Sequence, residues 1–214
     1  MKISHVAGLI FLCPTFSFAN DPIKEEQVDM ADPTAVYSSV GAHQYADGNF
    51  DLSAGLAWGK NVVAVESKDG FDAVNVRYAQ MNLWSGIGVY AESTIQLEND
   101  FGTSASVGAV GTYSVGTLWT MYPILTVGST EHIEDDWIAT STVGVYNRFK
   151  IGSGFSIGVD PFYTIGESGY ENIYVDTFIN YQYKNHQIRL GYNGSESHKT
   201  NFDGEGYIKY KMAF

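Results

Sequence analysis

Cysteine is nearly absent from this chain: the single one is Cys13. That excludes a disulfide scaffold, a Cys-X-X-Cys redox centre and a cysteine-based metal site. Proline is scarce, with 5 in 214 residues. Positive charge is short as well, 12 Lys and Arg against 24 Asp and Glu for a net charge of -12. This balance argues against nucleic acid as a partner, since phosphate binding needs a basic surface. No apolar run approaches the roughly 20 residues a helix needs to cross a bilayer. A phosphate-binding glycine loop and a metal-ligating histidine pair are missing too, so no cofactor and no metal are expected.

What is present points to strands and turns. Gly (23), Tyr (15) and Phe (12) are abundant, a mixture that favours sheets over helices. Mean hydropathy is slightly negative. A sheet with one apolar face hides its hydrophobicity in this way, because only alternate residues are apolar.

The first nineteen residues stand apart. Lys2 supplies a positive start, Val6 to Leu12 an apolar core, and Ser17-Phe18-Ala19 a small-X-small cleavage site, the pattern of an export leader removed after Ala19. Leu12 before Cys13, where a lipid-attachment site would carry a small residue, speaks against a lipoprotein. Removing the leader takes away one Lys and no acid, leaving 11 basic and 24 acidic residues and no cysteine. Residues 20–33 (NDPIKEEQVDMADP) are acidic, hold two prolines and show no alternation, and read as a flexible lead-in.

From residue 34 onward alternation and turn signals repeat to the end. Twelve strands are predicted, over 34–46, 49–58, 61–68, 71–81, 86–98, 103–115, 118–129, 137–150, 154–166, 172–184, 186–194 and 204–214. Ten is the second count, reached if the short 61–68 falls away with a neighbour. Pro123 in mid-strand removes a ladder donor and predicts a bulge or local kink. The even-numbered junctions are short throughout (Gly59-Lys60, 82–85, Gly116-Thr117, 151–153, Asn185). The odd-numbered ones lengthen late, at 130–136, 167–171 and 195–203.

One face of each strand is apolar. Phe50, Leu52, Ala54, Leu56 and Trp58 alternate with Asp51, Ser53, Gly55 and Ala57, and the last strand sets Ile208, Tyr210, Met212 and Phe214 against Tyr207, Lys209 and Lys211. Trp58, Trp119, Phe149, Phe155, Tyr183 and Phe214 share the apolar parity and gather at one end of the strands. A water–lipid boundary selects such rings, with one side wet and one apolar.

With these features the chain, over 34–214, resembles a Gram-negative outer-membrane β-barrel protein. The resemblance implies an all-β fold, a single antiparallel transmembrane barrel closed by the C-terminal strand. It implies a multi-pass protein of the bacterial outer membrane, with both termini in the periplasm and membrane lipids around it. It also implies that Ile208, Tyr210, Met212 and Phe214 signal to the barrel-assembly machinery. Strand number does not select a function within this class, and the sequence leaves the oligomeric state open.

The inward parity carries charges of both signs: Asp51, Glu66, Arg77, Glu92, Arg148, Asp160, Asp176, Arg189, Lys209 and Lys211. They either line a wet pore or pair across a filled lumen, since an isolated buried charge is prohibitively costly. The expected function is a porin-like passive channel for small solutes or ions. The alternative is a non-conducting barrel whose outer loops bind a surface ligand or partner protein. A hydrolase is third: Ser195-Glu196-Ser197-His198 supplies the residue types on a loop that would not fix their geometry, so the chain is not expected to be an enzyme. The acidic stretches 131–136 and 203–205 are expected at the outer rim, as solvated loops without metal-binding spacing.

Overall fold

A computed structural model describes residues 28–97, 102–131, 137–197 and 200–214. Thirteen strands are formed: β1 Ser39–Tyr45, β2 Phe50–Trp58, β3 Asn61–Lys68, β4 Ala73–Trp84, β5 Ile87–Gln96, β6 Ser104–Val110, β7 Tyr113–Val115, β8 Trp119–Glu131, β9 Trp137–Gly152, β10 Phe155–Gly166, β11 Glu171–Tyr183, β12 His186–Ser197 and β13 Thr200–Ala213. Each pairs antiparallel with its neighbour. β6 bonds to β8, and β13 returns to β1 with Ser39 opposite Ala213 and Tyr45 opposite Tyr207. Twelve strands thus close a ring, and β7 is an extra short strand held on β8. Closure gives the wall's backbone N–H and C=O groups partners within the sheet, a requirement wherever lipid replaces water.

The polarity of the ring is the reverse of a soluble core. Leu56 is 65% exposed, and Val107, Leu125, Val143, Ile179 and Leu190 also stand on the outside. Asp51, Asn75, Arg148, Asp160 and Asn180 are buried within. Beside these polar groups, one sector of the interior is apolar, where Ala79 and Met81 of β4, Val110 of β6, and Tyr122 and Ile124 of β8 pack together.

Three differences from the sequence expectation have local causes. Residues 103–115 form two strands rather than one, parted at Gly111-Thr112. Gly111 N–H donates to Pro123 C=O at 2.8 Å, so the edge of Pro123 that lacks its N–H faces Gly111. β8 itself runs on in register with β9 through Pro123↔Val145. The proline therefore interrupts its neighbour, and the expected kink in its own strand does not form. Second, the first strand begins at Ser39, not 34. Ser38 C=O accepts Phe214 N–H at 3.0 Å, and the residues before it leave the wall. Third, the expected loop 195–203 is mostly ladder, with Ser195 opposite Asp203 and Gly194 opposite Gly204. The two strands approach so closely there that a Cβ on Gly194 would sit 2.6 Å from Asp203 O, and one on Gly204 2.6 Å from Asn193 O.

The tight connections 59–60, 85–86, 153–154 and 184–185 lie at the same end as the start of β1 and the end of β13, the end that the resemblance assigns to the periplasm. Asp203 and Glu205 fall within β13 rather than in a rim loop. Most of the other acidic stretch, 132–136, lies outside the described residues, as do 1–19 and 20–27.

Candidate functional site: the charged lumen

Alternation along the strands turns a set of scattered charges into one interior wall. Glu66 on β3 is its hub. Arg77 Nη2 on β4 donates to it at 3.0 Å and Lys209 Nζ on β13 at 2.7 Å. Lys68 Nζ lies 3.5 Å away. Arg77 also reaches Glu92 on β5 at 3.2 Å, and Asn75 Nδ2 ties the same carboxylate down at 2.7 Å. Tyr90 O–H donates to Glu92 as well. His43 on β1 stacks on Tyr45 at 4.2 Å and meets the edge of Tyr207 at 4.6 Å. Its Nδ1 stands 3.7 Å from Glu66, beyond hydrogen-bond reach.

A second group lines β9 to β12. Arg148 pairs with Asp160, and Arg189 lies 3.9 Å from Asp176, whose carboxylate accepts Tyr207 O–H at 2.8 Å. The Phe178 ring touches both guanidinium groups, 4.8 Å from Arg148 and 3.6 Å from Arg189, the geometry of a shared cation–π contact. Phe178 fits because β10 carries Gly158 beside it, where a Cβ would fall 2.1 Å from the ring.

Eight of the ten charges expected inside are therefore in ion pairs: Glu66, Arg77, Glu92, Arg148, Asp160, Asp176, Arg189 and Lys209. Asp51 is fully buried without a cation and takes Ser67 O–H at 3.2 Å and Gly70 N–H at 3.1 Å. Lys211 faces the Tyr37 ring at 5.7 Å. Burial pushes the Tyr37 phenol up to about 12, so it stays neutral beside the lysine. Lys68, His43, Asn75 and Phe178 join the wall although the sequence reading did not single them out. All four sit on the inward parity, which was the available signal.

The six expected boundary aromatics lie at the periplasmic end. Trp58, Phe149, Phe155, Tyr183 and Phe214 are exposed on the outside, and Trp119 stacks on Phe149 at 5.6 Å. Trp84, also outside and exposed, extends the set. In the last strand Ile208, Tyr210 and Phe214 are exposed and Met212 is half-buried on the same face. Ser195 to Ser197 are part of β12 rather than a loop, and His198 lies outside the described residues.

The lumen is entered from the periplasmic side past a segment that was expected to be loose. From Val28 the described part of the lead-in lies against the inside of the barrel, with Met30 only 3% exposed and Ala31 also buried. Gln182 of β11 grips its backbone twice, accepting Met30 N–H at 2.9 Å and donating to Val28 C=O at 2.7 Å. Arg148 Nε donates to Ala31 C=O at 2.8 Å, and Lys150 pairs with Asp29 at 2.8 Å. Polar backbone lying inside a barrel needs such partners, and Gln182 and Arg148 supply them, while Lys150 holds the Asp29 side chain.

No protein-family model matches the sequence, and a search of curated proteins finds no match. Solved structures do resemble the fold. The NanC porin aligns with a TM-score of 0.59 at 9% identity, covering 83% of this chain and 98% of its own. The KdgM porin aligns at 0.53 and 8% identity, covering 84% and 99%. The β-domain of the Bordetella autotransporter Brka aligns at 0.51 and 10% identity, covering 84% and 100%. The closed twelve-strand ring and its reversed polarity are those of a β-barrel that crosses a membrane many times, and these likenesses give it the fold of bacterial outer-membrane β-barrel proteins. Its fold is one that porins use.

Proposed function

We propose that this protein is a narrow, porin-like passive channel for small ions or solutes. The observation that carries the reading is the lumen wall, where six basic and five acidic side chains of β2–β5 and β9–β13 face inward in a twelve-strand ring. A barrel used only as a surface platform has no need for so many inward charges, whereas a pore sets its solute preference with them. The porin fold supports the same reading, and a KdgM porin has been solved in complex with disordered oligogalacturonate. Lys211 is a lumen lysine with no carboxylate within ion-pair distance among the described residues, which makes it a position where the charge of the wall can be changed without breaking an ion pair. Purified barrel in a planar lipid bilayer should give discrete conductance steps. Lys211→Glu should move ion preference toward cations while the barrel keeps its fold, and a folded barrel that stays silent sinks the channel.

One observation favours the second reading, a non-conducting barrel whose outer loops bind a partner. The middle of the interior is densely filled, with Asn180, Asn75, Phe178 and Tyr207 all buried, and the silent-barrel outcome would select it. For assembly, the outward side chains of Ile208, Tyr210, Met212 and Phe214 are proposed as the mark read by the barrel-assembly machinery. The ring of Trp58, Trp119, Phe149, Phe155, Tyr183 and Phe214 is proposed to sit at the periplasmic lipid boundary.

A further inference from the structure

We propose that residues 28–38 are a displaceable strap that shuts the periplasmic mouth, so that the barrel gates itself from its own N-terminal segment. The inference rests on the channel reading. The strap is anchored at one end and clipped at the other. At the anchor, Ser38 Oγ accepts Ala57 N–H at 3.0 Å and Ser38 C=O accepts Phe214 N–H at 3.0 Å, which fixes it where β1, β2 and β13 meet. At the clip, Gln182 and Lys150 hold Val28 to Met30 on the opposite wall. Between the two, Ala31 lies over Arg148.

The polar contacts of the clip are hydrogen bonds and a half-exposed ion pair at the rim, where water replaces a lost partner at little cost. The apolar contacts are few: Met30 and Ala31 are buried and Val36 packs against the apolar sector of the interior, so release uncovers three side chains of modest size. Arg148 keeps Asp160 when the strap leaves, so release strands no buried charge. The strap also keeps its shape by itself. Asp29 accepts Ala31 N–H at 3.0 Å, and Asp32 accepts both N–H and Oγ1–H of Thr34 at 2.7 and 2.6 Å, two side-chain-to-backbone turns in succession. It can therefore move about Ser38 as one piece. There is room for that movement on both sides. A cavity of about 470 Å³ separates it from Gly59, Asn82 and Thr112, and another of about 460 Å³ from Gly154 and Lys184.

The test compares the parent barrel with Asp29→Asn/Gln182→Ala, each also carrying Ala31→Cys as a label site. Both positions are at the rim, outside the charged wall. Open probability in planar bilayers should rise about tenfold in the double variant, the size expected for losing a few hydrogen bonds of modest net worth. Maleimide labelling of the cysteine should be slow in the parent and fast in the variant. Equal open probability in the two overturns the gate, and fast labelling in the parent overturns the seated strap. If neither barrel conducts while labelling still differs, the channel reading fails and the strap stands as a seal.

Discussion

Glu66 draws Lys68, Arg77 and Lys209 together from three strands and sits beside His43 from a fourth. A carboxylate buried this deeply is stable only because several cations share it, and they depend on it in turn. Glu66→Gln leaves Lys209 and Lys68 without a carboxylate within ion-pair distance, while Arg77 keeps Glu92. The expected loss is about 3–5 kcal/mol, the usual cost of breaking one side of a buried pair. Urea unfolding of the barrel in detergent measures it, and adding Lys209→Met should recover part of the loss. No recovery would mean that Lys209 is not what Glu66 holds. The parity of Glu66, Arg77 and Lys209 was readable from the alternating sequence. Their convergence was not, because Lys209 reaches Glu66 across 143 positions of chain and past the two intervening strands β1 and β2.

At the level of elements, the short proline inventory has the largest effect per residue. Pro123 lies in register with Val145 on one side and faces Gly111 without a donor on the other. Pro161 has a similar effect on β10, where the ladder to β9 skips Asp160 and Pro161; Asn147 Nδ2 bridges to Val159 C=O at 2.8 Å and Asn147 N–H to Asp160 at 3.1 Å. Restoring the donor with Pro123→Val should join β6 to β7. The new amide at position 123 should donate to Gly111 C=O and exchange slowly, with a gain of about 1 kcal/mol for one ladder bond. Fast exchange of that amide would show that the break has another cause. The sequence made the strands legible because each one carries its own alternation, and 61–68 was found to the residue. It could not show that a proline in one strand breaks another. Nor could it place the strap: residues 28–33 carry no periodicity, 34–38 read as the start of the first strand, and the seats, Arg148 and Gln182, lie 117 and 154 positions away. A flexible lead-in was the natural reading of such a stretch; the contacts of 28–33 with the wall come from residues far away in the chain.

For the molecule as a whole, the barrel separates what folds it from what delivers it. Ladder bonds, interior ion pairs and the closure of β13 on β1 supply the fold, and they run through backbone and inward side chains. Phe214 takes part through its N–H to Ser38 C=O, while its ring is 69% exposed and packs on little. A stability role and an assembly role for that ring therefore predict different results for Phe214→Ala. The substitution keeps the backbone bond and deletes only outward surface, so refolding of the pure protein into detergent or lipid should be nearly unchanged in yield and in urea midpoint. In living cells, if the ring is the mark that the assembly machinery reads, the folded outer-membrane fraction should fall several-fold, with unfolded chain accumulating in the periplasm. The mobility shift between heated and unheated samples on a gel reads both arms. An equal loss in both would make Phe214 a structural residue of the closing seam, and an unchanged level in cells would remove it from the signal and leave Ile208, Tyr210 and Met212 to carry it.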